Sequence, residues 1–442
     1  MAQRKEKGNA RHYGVIDTER SMAVRALDMK ALRQALVEDA SAFRIVTDLY
    51  PAGGDGDKVF PPTYQGGVYA WEDRIIQGQK VRCVLLDSVQ SQANRLELTL
   101  LEWHRSAPRD KKPFPLVQID FSDTEVAEIG LFSALEAPHR IADAVFLAAE
   151  IEEDGKRKPF RHPKDPRKES SIGSVIERSS AKNATGLFGL CPTALIFGMW
   201  DSQGARGGLG EKFQRVLVSE IIGVDATEDG RRPASRVDPL IKVAGESVKI
   251  TIGNDKTWKY DPSGKAKLSE VGLGNVTPSL ELPANQRKGA ESKYNHGGVS
   301  IRFARQICVL SLPALRRLRF PVEGNGDASL IGQLTLAALG LAAVARQWRS
   351  GFSLRSRCDL VPDGSMKIEL IKPGESEILS FNSEQAEQLV YECGREAHQA
   401  GLPWPPVKSV PPWKDGELTL RPNADLVRVI AESRRLAMEQ RE

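Results

Sequence analysis

The sequence predicts an α+β fold. Stretches with strand-like and helix-like apolar spacing follow one another irregularly rather than in strict βα alternation, and no internal repeat of solenoid or propeller length is present. At 442 residues, with 40% hydrophobic and 27% charged residues, the chain has the length of up to about three domains or of one large domain with insertions. The 62 Lys and Arg stand against 58 Asp and Glu, a formal net charge of +4. That balance excludes gripping a polyanion by bulk charge and leaves local clustering as the route. The five cysteines form no C-x-x-C pair, the nearest two, Cys358 and Cys393, being 35 residues apart. Neither a zinc ribbon nor a disulfide framework is encoded, and no metal or other cofactor is expected. Residues 1–14 are polar and basic with no apolar segment behind them, so a reducing, cytoplasmic setting is expected.

The elements follow in order. Leu27, Leu32 and Leu36 place an amphipathic helix within residues 22–46, ahead of a Gly/Asp turn at 53–57. Residues 81–86 read as a strand and 87–101 as a helix whose start carries Asp87 and Gln90 as a capping-box-like pair. The alternation over 116–121 predicts a strand, and 134–151 reads as helical. Residues 193–200 and 216–224 are β-rich runs joined by a Gly-rich connector, and 248–252 and 307–312 are further strands. Residues 330–345, interrupted by Gln333 and Thr335, fall short of the ~20 apolar residues that span a bilayer and are read as a buried helix. Residues 354–361 and 366–371 flank Pro362-Asp363-Gly364-Ser365 and predict a hairpin.

Motifs for catalysis are scarce. The glycine stretch 204–210 lacks the spacing of a P-loop or a dinucleotide fold. Glu136, His139 and Asp143, spaced i, i+3 and i+7, would share one helix face and could hold a metal, though an ion pair of Arg140 or a buried histidine is the plainer reading with Pro138 inside the motif. The helix at 87–101 is more informative. Leu86, Val89, Ala93, Leu96 and Leu100 fall on one face, and Gln90, Ser91, Asn94 and Arg95 on the other, where amide, hydroxyl and guanidinium donors suit phosphate oxygens. Ser202, Arg206, Lys212 and Arg215 bracket a segment in which Gly207 and Gly208 would let a polyanion backbone approach main-chain N–H groups. Residues 301–320 carry Arg302, Arg305, Arg316, Arg317 and Arg319 and no acid, a basic surface.

Several of these stretches together resemble a known family. Phe60-Pro61-Pro62-Thr63-Tyr64, the run from Leu85 through Ser88-Val89-Gln90-Ser91 to Glu97, Glu136-Ala137-Pro138-His139-Arg140, Pro192 through Trp200-Asp201-Ser202, Arg215-Val216-Leu217-Val218 and Leu315-Arg316-Arg317-Leu318-Arg319-Phe320 are similar to the Csb-type backbone subunit of type I-G (formerly I-U) CRISPR effector complexes, over about residues 60–360. The resemblance implies the Cas-seven group of the RAMP superfamily, with an RRM-like (ferredoxin-like) core of antiparallel sheet and helices. It also implies a single module over residues 1–442 with finger and thumb insertions, placed at 103–170 and 225–300. Such a subunit has no catalytic role. Its copies stack head to tail along the crRNA spacer as a filament and present it to a target DNA strand. The implied partners are the large subunit, a guide-processing or end-capping subunit and a recruited helicase-nuclease, with no membrane. Positions Ser88 to Arg95 match the helix that touches the guide backbone in related subunits. Because spacers vary, such a grip would fall on ribose-phosphate rather than on bases. The alternatives are an RNA-processing endonuclease of the same superfamily, using His139 or His12, and a metal-dependent hydrolase using Glu136, His139 and Asp143.

Overall fold

A computed structural model describes residues 25–439 apart from 66, 163–164, 166–167, 202–211, 229–236, 242–247, 276–296 and 406–412. Helix α1 (Met29–Val37) leads into strand β1 (Ala42–Pro51), and the hairpin β2 (Trp71–Ile76) and β3 (Gln79–Asp87) hands over to α2 (Val89–Ser106). Then come β4 (Leu116–Asp120), β5 (Leu131–Ser133), the single turn α3 (Ala144–Leu147), β6 (Ala149–Glu153) and β7 (Lys156–Pro159). Three short helices, α4 (Ser174–Arg178), α5 (Thr185–Leu190) and α6 (Pro192–Phe197), precede the small pair β8 (Met199–Trp200) and β9 (Lys212–Phe213). Strand β10 (Leu217–Val224) is followed by β11 (Thr227–Glu228), β12 (Lys249–Ile252), β13 (Trp258–Tyr260), β14 (Ala266–Lys267) and β15 (Val299–Ser300) before β16 (Phe303–Ser311). Next are α7 (Leu312–Arg316), α8 (Ala328–Ser350), β17 (Phe352–Arg355), β18 (Cys358–Pro362), β19 (Lys367–Lys372) and β20 (Glu375–Ser380). Helix α9 (Ser383–Gln399), β21 (Trp413–Lys414), β22 (Glu417–Pro422) and α10 (Ala424–Glu439) complete the order.

Among the described residues, nine strands form one antiparallel sheet in the order β17-β18-β1-β16-β10-β3-β2, with β19 on β1 and β20 on β19. The fold is therefore α+β, built around an antiparallel main sheet. Alternation sets the two faces. On β16, Ala304, Gln306, Cys308 and Leu310 point into the helical layer, while Phe303, Arg305, Ile307 and Val309 point away from it. Helix α8 is the centre of that layer, packed against α9, α2, α6, α7 and α1. It is apolar all round because it is enclosed all round, with 89% of its most hydrophobic window buried. Its two polar interruptions find partners: Gln333 Nε2 donates to Leu318 O (2.9 Å) and Thr335 Oγ1 to Ile331 O (2.8 Å). Gly332 lets Phe320 lie flat on the helix, since a Cβ there would come 2.5 Å from Phe320 Cδ2.

Several expectations are corrected. The predicted helix within 22–46 covers only Met29–Val37, capped by Asp28, whose Oδ1 accepts from Ala31 N–H at 2.7 Å. Beyond it Phe43, Ile45, Thr47 and Leu49 alternate as a strand, because period two serves a sheet with one buried face. Residues 134–151 are mostly a loop with a 3₁₀ turn at Arg140–Ala142 before α3, since Pro138 cannot continue a helix. Residues 193–200 are mainly helix α6, nucleated by Pro192 at its first turn. Strands β18 and β19 do not pair with each other; they bind opposite ends of β1. Their hairpins close onto β17 and β20 through positive-φ turns at Arg357 (58°) and Gly374 (80°).

Residues 103–170 supply β4 to β7 of a second sheet, ordered β5-β4-β22-β6-β7, in which the distant β22 runs parallel to β4 and antiparallel to β6. Phe114, Leu116, Val117, Ile119 and Ile151 join the same core as α8. The excursion between β10 and β16 leaves and returns through the paired β11 and β15 and contains a three-stranded sheet, β13-β12-β14.

His104, at the end of α2, is fully buried with its ring centroid 5.0 Å from that of Phe114. Burial, helped by the Lys112 ammonium, pushes its pKa down to about 3. An unfolded histidine titrates near 6.5, so below that pH the unfolded chain takes up a proton that the folded chain refuses. Stability is full above about pH 6.5 and falls as pH drops towards 3, by at most about 1.4 kcal/mol per pH unit from this group. His104→Leu should flatten the decline in melting temperature between neutral and about pH 5; an unchanged decline would show that other groups cause it.

Candidate nucleic-acid interface

Helix α2 is set by a buried carboxylate. Asp87, 1% exposed, ends β3 and accepts from Gln92 Nε2 (2.6 Å), Arg95 Nε (3.0 Å) and Arg355 Nη2 (3.5 Å). The expected Asp87/Gln90 capping box is absent; Ser88 is the N-cap and accepts from Ser91 N–H at 3.3 Å. Gln92 is also fully buried, and its Oε1 accepts from Ser219 Oγ (2.9 Å) and Gln306 Nε2 (3.0 Å), whose amide also reaches Gln347 Oε1 (2.8 Å). The predicted polar face therefore divides. Gln90 and Asn94 are exposed and Ser88 and Ser91 half-buried. Arg95 turns back on the protein, with Nη1 donating to Ser353 O at 3.2 Å and Nη2 to Leu354 O.

A second buried pair fixes the next segment. Glu97 and Arg140 are 1% and 7% exposed, joined by two bonds of 2.6 and 2.7 Å, and Arg140 Nη1 donates to Gly198 O at 2.9 Å. Burial pushes the Glu97 carboxyl up to about 7 against the pull of Arg140. Arg140 adopts φ 56°, a left-handed conformation that costs a non-glycine residue about 1 kcal/mol or more and is held by this pairing. Gly198, at φ 86°, turns α6 into β8 and aims its carbonyl at Arg140. The ion pair of Arg140 is thus what the segment provides, and His139 is exposed rather than buried. The metal arrangement is not: Glu136 accepts from Ser133 N–H (2.9 Å) and Oγ (2.8 Å), and Asp143 caps α3 through Val145 N–H (3.1 Å). No helix face is shared, and among the described residues no group of three His, Cys, Asp or Glu could hold a metal.

These elements enclose a cleft of about 720 Å³. One wall is α2, with Gln90 and Asn94; the other is the flank of the glycine stretch, with Lys212, Gln214 and Arg215; His139 and Arg140 line it between them. Two clusters separate in sequence thus meet in space. Among the described residues no Asp or Glu lines the cleft, and Arg140 is already paired with Glu97, so Lys212 and Arg215 are the cations these residues leave facing it. Trp200, which helical and charge patterning gave no reason to select, is 50% exposed at the rim, with Lys212 Nζ 4.4 Å from its ring centre. A large aromatic beside the glycine stretch was the signal available in the sequence.

Other expected site residues lie elsewhere. Arg305 forms a two-bond ion pair with Asp48 (2.6 and 2.9 Å) on the far face of the main sheet and stacks on Phe303. Arg302 is exposed just before β16, its N–H donating to Val224 O at 3.0 Å. Ser202, Arg206, Gly207 and Gly208 lie outside the described residues.

Because Arg95 bridges Asp87 to β17, Arg95→Ala should cost about 2–3 kcal/mol of stability by stripping a buried carboxylate of one charged donor. Asn94→Ala, one position away, should stay within about 0.5 kcal/mol. Urea denaturation of both variants checks this, and equal midpoints would overturn the clamp.

Comparison with known proteins adds a context. Residues 43–228 match the family model described as CRISPR-associated protein GSU0053 (Cas_GSU0053). No curated protein matches the chain. Among solved structures it is similar to the crystal structure of Csc2 from Thermofilum pendens, at 13% identity over 83% of this chain and 76% of that one, with a TM-score of 0.23. That overlap transfers no residue role. Strands β2 to β10, helix α2 and every residue lining the cleft fall within the stretch that matches a CRISPR-associated family.

Proposed function

We propose that this chain is a non-catalytic backbone subunit of a type I-G CRISPR effector complex, holding crRNA by its ribose-phosphate backbone and presenting it for pairing with a target DNA strand. The observation that carries this reading is the cleft in which Lys212 and Arg215 face Gln90 and Asn94, with no carboxylate among its described lining residues, inside the stretch that matches a CRISPR-associated family. Cations and amides suit phosphate and ribose oxygens and read no base edge. An RRM-like core is supported by the strand order β18-β1-β16-β10, with α2 preceding β10 and α8 following β16, which is the arrangement of a split βαβ unit. Copies arrayed head to tail along one RNA would make an open, heterologous assembly whose size follows RNA length. The large subunit, an end-capping or guide-processing subunit and a helicase-nuclease complete the proposed partners.

RNA titration of the purified protein tests this. Affinity should be sequence-tolerant and fall steeply between 50 and 200 mM salt, at a slope of about 0.7 per phosphate contacted. Lys212→Ala with Arg215→Ala should lower that slope by about 1.4 and leave the melting curve unchanged. Two unrelated RNAs of equal length differing by more than ~1.4 kcal/mol would replace backbone grip with base readout. Absence of RNA binding at low salt would sink the proposal. Guide-precursor cleavage abolished by His139→Ala would establish the nuclease alternative instead.

A further inference from the structure

On the main sheet several arginines are matched by carboxylates on other strands, as in Arg44 with Glu369, Arg74 with Glu220 and Arg305 with Asp48. One place departs from that rule. The chain carries no Asp or Glu from residue 178 to 200, nor from 301 to 322, and the fold joins these two stretches. Arg319 N–H donates to Ala181 O and Ala184 N–H to Arg319 O, both at 2.8 Å, while Ser180 and Asn183 close the intervening loop with two reciprocal bonds of 3.0 Å. Alternation sorts the arginine run. Arg316 turns inward and donates to the carbonyls of Ala35, Leu36, Glu38 and Ala40 that end α1. Leu318 and Phe320 are buried, leaving Arg317 and Arg319 exposed beside the exposed Lys182. None of these three has a carboxylate partner among the described residues.

We propose that Lys182, Arg317 and Arg319 form a ledge that binds a nucleic-acid phosphodiester backbone, separate from the cleft that Lys212 and Arg215 line. Three adjacent cations without counter-charges repel one another, and a polyanion relieves that repulsion while releasing its own counterions. The backbone bonds at 181–184 and 319, and the packing of Phe320 against Gly332, hold the ledge rigid, so binding orders only side chains. The inference rests on the nucleic-acid reading above. The phosphates could belong to the bound RNA itself or to the strand paired with it, and both offer the same chemistry.

The experiment compares the full-length protein with Lys182→Ala/Arg317→Gln/Arg319→Gln and, separately, with Lys212→Ala/Arg215→Ala. One arm titrates a spacer-length single-stranded RNA over a salt series; the other titrates complementary DNA onto protein already loaded with that RNA. The ledge variant should bind on the order of tenfold more weakly, with a salt slope lower by about 2, in the RNA arm if the ledge holds RNA and in the DNA arm if it holds the paired strand. Arg317→Lys/Arg319→Lys keeps the charge and should keep the slope, which separates a charge effect from misfolding. A ledge variant equal to wild type in both arms, with the cleft variant impaired, overturns the ledge and leaves the cleft standing. Impairment of the ledge variant alone upholds the ledge and removes the cleft. If the wild-type protein binds neither RNA nor DNA, both fall.

Discussion

The position of α2, and through it the cleft, depends on one withdrawn charge. A carboxylate taken out of water must be given donors, and each donor lost leaves a penalty larger than the bond was worth. Asp87 collects its donors from α2 and from Arg355 at the end of β17, and Gln92 relays the demand to Ser219, Gln306 and Gln347. A single connected set of side chains thus registers β3, α2, β10, β16 and α8 against one another. Hydrophobic burial alone would tolerate a small rotation of α2; this network does not. With Gln92, Ala93, Leu96 and Glu97 committed inward, Gln90 and Asn94 have one direction left, into the cleft.

The Glu97 and Arg140 pair does the same for the opposite wall. It draws a non-helical loop, a left-handed residue and the carbonyl of Gly198 to the flank of α2. Buried ion pairs add little net stability, but breaking one strands a charge. Here the pair acts as a spacer that fixes how far α6 and β8 stand from α2. The width of the cleft is therefore decided by residues that a ligand has no need to touch.

Much of this was legible in the sequence where periodicity was strong. Helix α8, strands β10 and β16, and the existence of α2 follow from apolar spacing alone. Helix α6 did not, because Thr193, Ile196, Phe197 and Trp200 favour strands by composition; Pro192 at the first helical position was the overlooked cue. The loop over 134–143 carries the apolar count of a helix, and only Pro138 in its sequence argues against one. Both walls of the cleft were visible separately, as a polar helix face and as cations beside glycines. Their meeting was not, because it is set by tertiary contacts such as Arg140 to Gly198. Arg95 looked like its exposed neighbours for the same reason: nothing local reveals that Asp87 is buried.

Strand β22 has a consequence for how the protein is made. It sits between β4 and β6 and pairs with β4 across a separation of 301 residues. During synthesis, β4 and β6 emerge with the strand that joins them still untranslated, so each presents an open edge of backbone N–H and C=O groups beside apolar residues such as Leu116, Val117 and Ile119. Those edges are templates for unintended pairing for as long as the ribosome takes to reach residue 422. Loop closure on that scale is also slow to find. The second sheet can therefore close only after residues 417–422 have left the ribosome, which makes its completion a late event in the folding of the chain.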